Sequence, residues 1–383
     1  MWFAFITSIN GRGRLKKIRG GAPGRIIVNL SMSALQQNKP KIKTMEELST
    51  TIGISRPTLS KFFQDADSVR DTTRARIEKA LDTVDYVPNF FATKMNRQST
   101  RIIGVIVPYL NDLFFTSLVQ SIEESALQRG YTIIIQSAHG DPALEARAFE
   151  NLKSMSADGV IAAPIGQSSS LSAFTSMKEE LPVVCVDSRF SDDFEDVDFV
   201  GTNNQQSISL MVGYLHRSGG APVYLGMPRI NSNSLEREQA YVTSADELGF
   251  KPQIIPVNNT DPVWNFEEFA FDTMDEYFGR GEFVDTTILC ANDRLAIGVL
   301  RAANRHHLLP RGKGETSQFR VAGHDDHPLS AYVYPALTTV SRNTIGMGEA
   351  AVEQILDQIE NGRRSGKGVI RTFDAELRLR ESA

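Results

Sequence analysis

At 383 residues, 41% hydrophobic and 23% charged, the chain is long enough for two or three domains with real cores, and its ordinary composition excludes a fibrous or a disordered protein. Apolar runs such as "IIGVIV" (102–107) stop far short of the ~20 residues of a membrane-spanning helix, and the two cysteines, Cys185 and Cys290, sit inside apolar runs, so buried thiols in a reducing compartment are expected rather than a disulfide framework. The net charge of −5 hides an asymmetry: residues 1–101 hold 18 Lys and Arg against 8 Asp and Glu, a balance of +10, leaving −15 on the remainder, so a polyanion partner is expected at the basic end only.

Residues 1–38 carry six basic side chains (Arg12, Arg14, Lys16, Lys17, Arg19 and Arg25), no acid and no clear periodicity. Residues 1–40 therefore read as a disordered basic extension, and Met32 offers an alternative start. The apolar "MWFAFITSIN" has its cations after it rather than before it, the wrong order for a secretory signal.

Residues 41–88 read as short helices: "TMEELSTT", the turn "IGIS", "RPTLSKFFQ", then "TTRARIEKALDTV". Thr44 with Glu47 three residues on has capping-box spacing. Leu48, Ile52, Ile54, Leu59, Phe62, Ile77, Leu81 and Val84 would close a small three-helix core. Past "YVPNFFATKMNRQSTR" the pattern becomes strands alternating with amphipathic helices. It runs from "RIIGVIVP" through helices near 115–129, 142–155, 171–180, 205–219, 235–248, 266–279 and 293–307 to a last one at 344–361. Near-continuous β-branched runs between such helices imply parallel sheets covered on both faces. So many units exceed one sheet, and two lobes are expected, with the chain crossing between them near 187–190 and returning near 325–341.

Helix, glycine-containing turn, second helix is the layout of a helix-turn-helix, in which the first residues of the second helix reach base edges in the major groove. In "GISRPTLSKFFQD" Ser55 stands at the cap, Arg56 and Pro57 in the first turn, and Lys61 about one turn further on. Arg56 suits guanine or phosphate; the hydroxyls of Ser55, Thr58 and Ser60 suit phosphate or base contacts. An ordinary αα-hairpin with a solvated basic face is the competing reading of the charges alone. The longer stretch from Lys43 to Met95 resembles the N-terminal region of the lactose-repressor-like (LacI/GalR) family of transcription regulators. The likeness continues through "RIIGVIVP", "ANDRLAIG", "VAGHDD" and "PALTTV" to "AELRLRESA".

This resemblance implies an all-α helix-turn-helix headpiece joined to an α/β core of two Rossmann-like lobes, periplasmic-binding-protein-like, at residues 102–383. It also implies a homodimer, or a dimer of dimers, and a small effector between the lobes. Carried over by position, Arg56, Pro57 and Lys61 fall on the base-reading and phosphate-reading places, and Thr44 joins them. Residues 89–101 hold the match to the family's hinge helix and linker: Asn89 lies in it, Ala92 falls on its alanine, and Met95 stands where the family usually has a leucine wedged into the minor groove. Gln64 in place of a common asparagine and the paired Phe90 and Phe91 are departures, read equally as altered contacts or as packing.

Ligands of open α/β sheets sit beyond the carboxyl ends of strands. Asp187, closing "PVVCVD", and Asp293, just after "TTILCAN", stand at such ends. For a lone Asp or Trp, capping or core packing is the commoner role. The resemblance places Asp293, Arg237 and Asp187 at effector-contact positions and Phe114 and Phe115 facing the cleft, with Trp264 a further candidate for stacking. The "HDDH" run at 324–327 invites a metal reading, but adjacent strand side chains alternate and no distant Cys or His partner is evident, so no metal is expected. No cofactor motif and no nucleophile–base signature support an enzyme. The expected function is a cytoplasmic regulator that binds double-stranded operator DNA, a repressor rather than an activator on family grounds, under control of a sugar-like effector. A transport-type sugar-binding protein with the same core is the alternative, which the headpiece and the missing signal oppose.

Overall fold

The structure, a computed structural model, describes residues 39–88, 99–166, 169–190, 194–257, 264–309, 319–362 and 366–383, with the short pairs 8–9 and 15–16. Within the expected basic extension, Ser8–Ile9 pairs antiparallel with Leu15–Lys16. The chain divides into two units, Met1–Asn96 and Arg97–Ala383.

In the first unit, α1 (Met45–Ile52), α2 (Arg56–Gln64), a 3-10 turn (Ala66–Ser68) and α3 (Asp71–Leu81) close on one small core. The Thr44 hydroxyl accepts from the Glu47 amide at 3.1 Å, and Glu47 accepts from the Lys43 amide at 2.8 Å, a shifted version of the capping box. Gly53 ends α1 at φ +65, a left-handed turn that a side chain would strain, and its amide donates to Ser49. Leu48, Leu59 and Ile77 have no exposed surface, and Ile42, Ile54 and Val84 complete the cluster. Each fully buried Leu or Ile contributes about 1.5–3 kcal/mol. Ile52, Phe62 and Leu81 lie only partly buried around it.

In the second unit, a six-stranded parallel sheet is built from β1 (Ile102–Val107), β2 (Thr132–Ser137), β3 (Gly159–Ala162), β4 (Val183–Val186), β5 (Asp198–Thr202) and a late strand, β10 (Ile370–Phe373). Its order is β10-β5-β4-β3-β1-β2. Helices α4 (Leu113–Gln128), α5 (Pro142–Ser154), α6 (Leu171–Glu180) and α11 (Thr344–Asn361) cover it, leaving separate apolar clusters on its two faces. The second lobe holds β6 (Val223–Leu225), β7 (Thr287–Cys290) and β8 (Arg320–Ala322), all parallel, in the order β8-β7-β6. Single bridges widen this sheet at both edges, Ile254 to Tyr224 and Thr338 to Ala322, so the expected strand "QIIPV" contributes one pairing only. Helices α7 (Asn204–Gly219), α8 (Ser232–Glu247), α9 (Phe266–Gly279) and α10 (Asp293–Arg305) surround it.

The crossings between lobes differ from the expectation. Residues 187–190 stay in the first lobe, because β5 follows them into the same sheet. The chain leaves only between Thr202 and Asn204, returns between β9 (Thr339–Ser341) and α11, and crosses a third time between β10 and β11 (Glu376–Arg378), which pairs antiparallel with β9. The late strands were not foreseen, since "IRTFDAELR" lacks a sustained apolar run. The three crossings are bonded to one another: the Asn203 side chain donates to Asp374 at 2.9 Å, Gln206 exchanges two hydrogen bonds with the Ala375 backbone, and Arg342 of the second crossing donates to the Thr202 hydroxyl at 2.7 Å.

Candidate functional site

At the start of α2, Ser55 has the extended backbone of a cap (φ −61, ψ 141), but its hydroxyl does not cap the helix. It lies 2.7 Å from the Thr58 hydroxyl instead, a correction to the expected capping role with a simple cause: the two oxygens face each other one turn apart. Pro57 follows in the first turn, where an amide would have no intrahelical acceptor. Ser55, Arg56, Pro57 and Lys61 are exposed, Thr58 and Ser60 half-buried, and Leu59 between them is the core anchor. The Arg56 side chain is 68% exposed, with Glu46 at 3.8 Å. Thr44 is exposed beside the α1 cap it provides. Arg76 of α3 donates to the Gly53 carbonyl at 3.2 Å and braces the turn, a role with no signal in the sequence. Asn89, Ala92 and Met95 lie outside the described residues. The face as described offers unfilled first-turn amides, hydroxyls and a cation, a set suited to anions.

Between the lobes of the second unit lies a narrow cleft lined by Phe114, Phe115, Asp187, Arg237 and Trp264, five of the six expected effector residues. Phe114 and Phe115 stand in the first turn of α4, with ring centroids 5.1 Å apart. Asp187 and Asp325 close strand ends with positive φ, +68 and +125. Such strained backbone persists only where its surroundings hold it. Here two guanidinium groups do so.

Arg342, 2% exposed, donates to Asp187, to Thr202 at 2.7 Å and to Asp325 at 3.4 Å, and stacks over the Phe114 ring at 3.9 Å. Arg237, 3% exposed, donates to Asn204 at 3.1 Å, to the Ala291 carbonyl at 2.7 Å and to Asp325 at 3.3 Å. Asp325 is thus the shared acceptor, and His324 completes it at 2.9 Å while its other ring nitrogen meets Ser207 at 2.8 Å. Burial alone would raise the Asp325 pKa, but Arg237, His324 and Arg342 outweigh it and hold the carboxyl well below the usual range. His324 is pushed down to about 3, by burial first and by Arg237 next, so it stays neutral at ordinary pH. One polar atom of the wall is left over: the side-chain oxygen of Asn231, a residue 5% exposed, has no partner among the described residues.

Asp293 departs from the expectation. It lies fully buried behind the cleft, where its carboxylate accepts from the His327 amide and the Ser330 hydroxyl, each at 2.7 Å, and from Thr339 at 2.6 Å. Its neighbour Asn292 lines the cleft instead. The helix α10 begins at Asp293, so consecutive side chains there point apart and only one can face the opening. Burial, with the Asp325 charge, pushes Asp293 up to about 7.

The "HDDH" residues likewise diverge. Asp325 faces the arginines, Asp326 pairs with Arg380 at 2.6 Å, and the His327 ring accepts from the Leu329 amide at 3.2 Å. No group of three or more His, Cys, Asp or Glu able to hold a metal occurs among the described residues. Arg342 and Asp325, central to the cleft, were missed as effector-site residues. Both follow strand ends ("VAGHDD", "TTVSRN"), the same signal that singled out Asp187.

Residues 100–376 match the family model of periplasmic binding proteins and sugar binding domain of LacI family, and residues 44–89 match that of bacterial regulatory proteins, lacI family. The chain belongs to the LacI family. It is 27% identical over 329 residues to the probable HTH-type transcriptional regulator EndR of Paenibacillus polymyxa, across 83% of this chain and 91% of that protein. It is 26% identical over 347 residues to the HTH-type transcriptional repressor CytR of Escherichia coli K12, across 88% and 96%. Among solved structures, the Lac repressor dimer bound to operator and the anti-inducer ONPF superposes with a TM-score of 0.73 at 20% identity, over 90% of this chain and 99% of that one. The expected architecture of the LacI family, a helix-turn-helix headpiece with a two-lobed core, is the one found. No helix among the described residues is long and apolar enough to cross a membrane.

Proposed function

We propose that this chain is a transcriptional repressor whose α2 reads operator DNA and whose inter-lobe cleft binds a small sugar-like effector that controls operator affinity. The observation that carries the reading is the pairing, in one chain, of an exposed cation-and-hydroxyl helix start with a two-lobed cleft whose wall leaves the Asn231 oxygen without a donor among the described residues. Arg56 contacts a base edge or phosphate, Lys61 and the hydroxyls of Thr44, Ser55, Thr58 and Ser60 position the helix, and Pro57 shapes its first turn. Residues 41–88 form the DNA-binding domain, 89–101 the hinge with Asn89, Ala92 and Met95, and 102–383 the effector-binding and dimerisation core.

In the cleft, an effector hydroxyl donates to Asn231, and further hydroxyls compete for the carboxylates of Asp187 and Asp325 and the guanidiniums of Arg237 and Arg342. Trp264, Phe114 and Phe115 cover an apolar ring face. Ligand contacts that differ between two lobe arrangements bias the dimer between high and low operator affinity. Such a chain meets its DNA in the cytoplasm. CytR of Escherichia coli and PurR of Vibrio atlanticus are named repressors, which supports the sign.

The test is recovery of genomic DNA fragments by the full-length protein at moderate salt, followed by sequencing. Enrichment of a palindromic site, lost steeply as salt rises, is expected. No enrichment with or without a panel of pooled sugars and nucleosides would overturn the reading.

A further inference from the structure

A cavity of about 230 Å³ lies within the first lobe, between the connection from β4 to β5 and the start of β10. It shares no described lining residue with the inter-lobe cleft. Packing fixes its aromatic walls. Phe190 stacks on Phe174 of α6 with ring centroids 3.6 Å apart, and Phe194 meets the same ring edge-on at 4.7 Å. Phe199 of β5 folds its ring back over Gly201, two positions along the same face of the strand, where a Cβ would overlap it. At the far end the Gly368 amide donates to the Glu195 carbonyl at 2.7 Å, an approach so close that a Cβ on Gly368 would overlap the Val197 carbonyl. Cys185 of β4 also lines the cavity, and burial pushes its thiol up, so it stays protonated and adds no charge.

Against these apolar walls stands one polar group without a partner. The Arg189 guanidinium lies 4.3 Å over the Phe199 ring, and its Nε is sealed from water with no acceptor among the described residues. Arg237 and Arg342 in the cleft each meet a carboxylate. Arg189 meets none among the described residues, and Glu195 at the exposed rim is already taken by Lys367 at 2.8 Å. Arg189 itself is half-buried, which lets its charge stand without a fixed partner. The Nε edge of a guanidinium presents two parallel N–H groups, the geometry of a carboxylate. The walls suit the face and edge of a flat apolar ring. A cavity of ~150 Å³ takes a benzene ring; about 230 Å³ takes a ring with a short arm.

We propose that this cavity is a second ligand site, separate from the cleft, for a compact aromatic carboxylate whose two oxygens pair with the Nε edge of Arg189 and whose ring lies among Phe190, Phe194 and Phe199. The inference goes beyond the regulator reading and needs neither DNA nor an effector in the cleft. The two sites are nonetheless joined by a short stretch of backbone: Arg189 follows the cleft residue Asp187 by two positions, and its amide donates to Ser232 of α8 at 3.3 Å.

The test is calorimetric titration of the full-length protein with cinnamate and with its neutral counterpart, cinnamyl alcohol. Cinnamate is expected to bind with a Kd below about 1 mM, and cinnamyl alcohol about tenfold more weakly, since it lacks the charge that Arg189 pairs. Arg189→Met keeps an apolar stem over Phe199 and removes the guanidinium. It is expected to lose about tenfold in cinnamate affinity with cinnamyl alcohol unchanged. Cys185→Met, which fills the cavity and keeps Arg189, is the second variant and is expected to weaken both probes. No saturable binding of cinnamate, or equal affinity for the two probes, would overturn the site. So would wild-type cinnamate affinity in the two variants, which would put the probe in the cleft or elsewhere. Operator binding is scored separately by gel shift, so loss of the regulator reading leaves this result standing, and the reverse.

Discussion

On α2, Arg56 is 68% exposed and its counter-charge Glu46 stands 3.8 Å off in solvent; in the cleft, Arg237 and Arg342 are 3% and 2% exposed and donate to named acceptors within the protein. The contrast follows from solvation. An exposed guanidinium is already stabilised by water, and exchanging that water for phosphate releases counterions. A buried one must be paired before any ligand arrives, because an unpaired charge in the interior costs several kcal/mol. The headpiece therefore presents open valences, whereas the cleft presents closed ones; on the proposed reading an effector exchanges them and so couples its contacts to the lobe arrangement.

The sharpest way to break the contrast is Asp325→Ala, which strips the shared acceptor from Arg237, Arg342 and His324. The expected loss is about 3–5 kcal/mol, read by urea unfolding of the full chain; a loss under about 1 kcal/mol would mean that water replaces the carboxylate freely. Asp293→Asn probes the buried side through pH. The folded pKa of Asp293 is raised to about 7, so its stabilising contribution is full below the unfolded value and disappears as pH rises through 7. Wild type is expected to carry a component of stability that falls between about pH 4 and 7, and the variant to lack it. Identical pH profiles for the two proteins would count against the raised pKa.

Arg56→Ala tests the exposed side, with operator binding expected to weaken by about 1–3 kcal/mol relative to random DNA and the melting of the core unchanged. Unaltered discrimination would remove Arg56 from base reading. The smallest effect is expected from Glu46→Gln, which frees Arg56 of an exposed partner: stability should move by less than about 0.5 kcal/mol, while DNA affinity rises slightly at low salt and not at high salt.

The headpiece was readable because its determinants are local. The capping pair Thr44 and Glu47, the glycine that ends α1 and the spacing of Leu48, Leu59 and Ile77 act within a few turns of chain. Most of the helices of the core were readable for the same reason. The strands after α11 were not, because their pairing with Asp198–Thr202 and Thr339–Ser341 is supplied by distant chain rather than by their own apolar content.

The cleft divides along the same line. That Asp187, Arg237 and Trp264 could face a ligand is legible from residue types at strand ends and from motif order. That Asp293 turns away while Asn292 faces the opening depends on a helix beginning at that residue, one position deciding the direction of a side chain. That Arg342 joins Asp187, 155 residues away in sequence, depends on three crossings folding back on one another, a long-range closure for which the sequence carries no local signal. Exposed sites are written in short stretches because water satisfies whatever the protein does not; buried charges need partners from wherever the fold brings them, and only the folded chain names those partners.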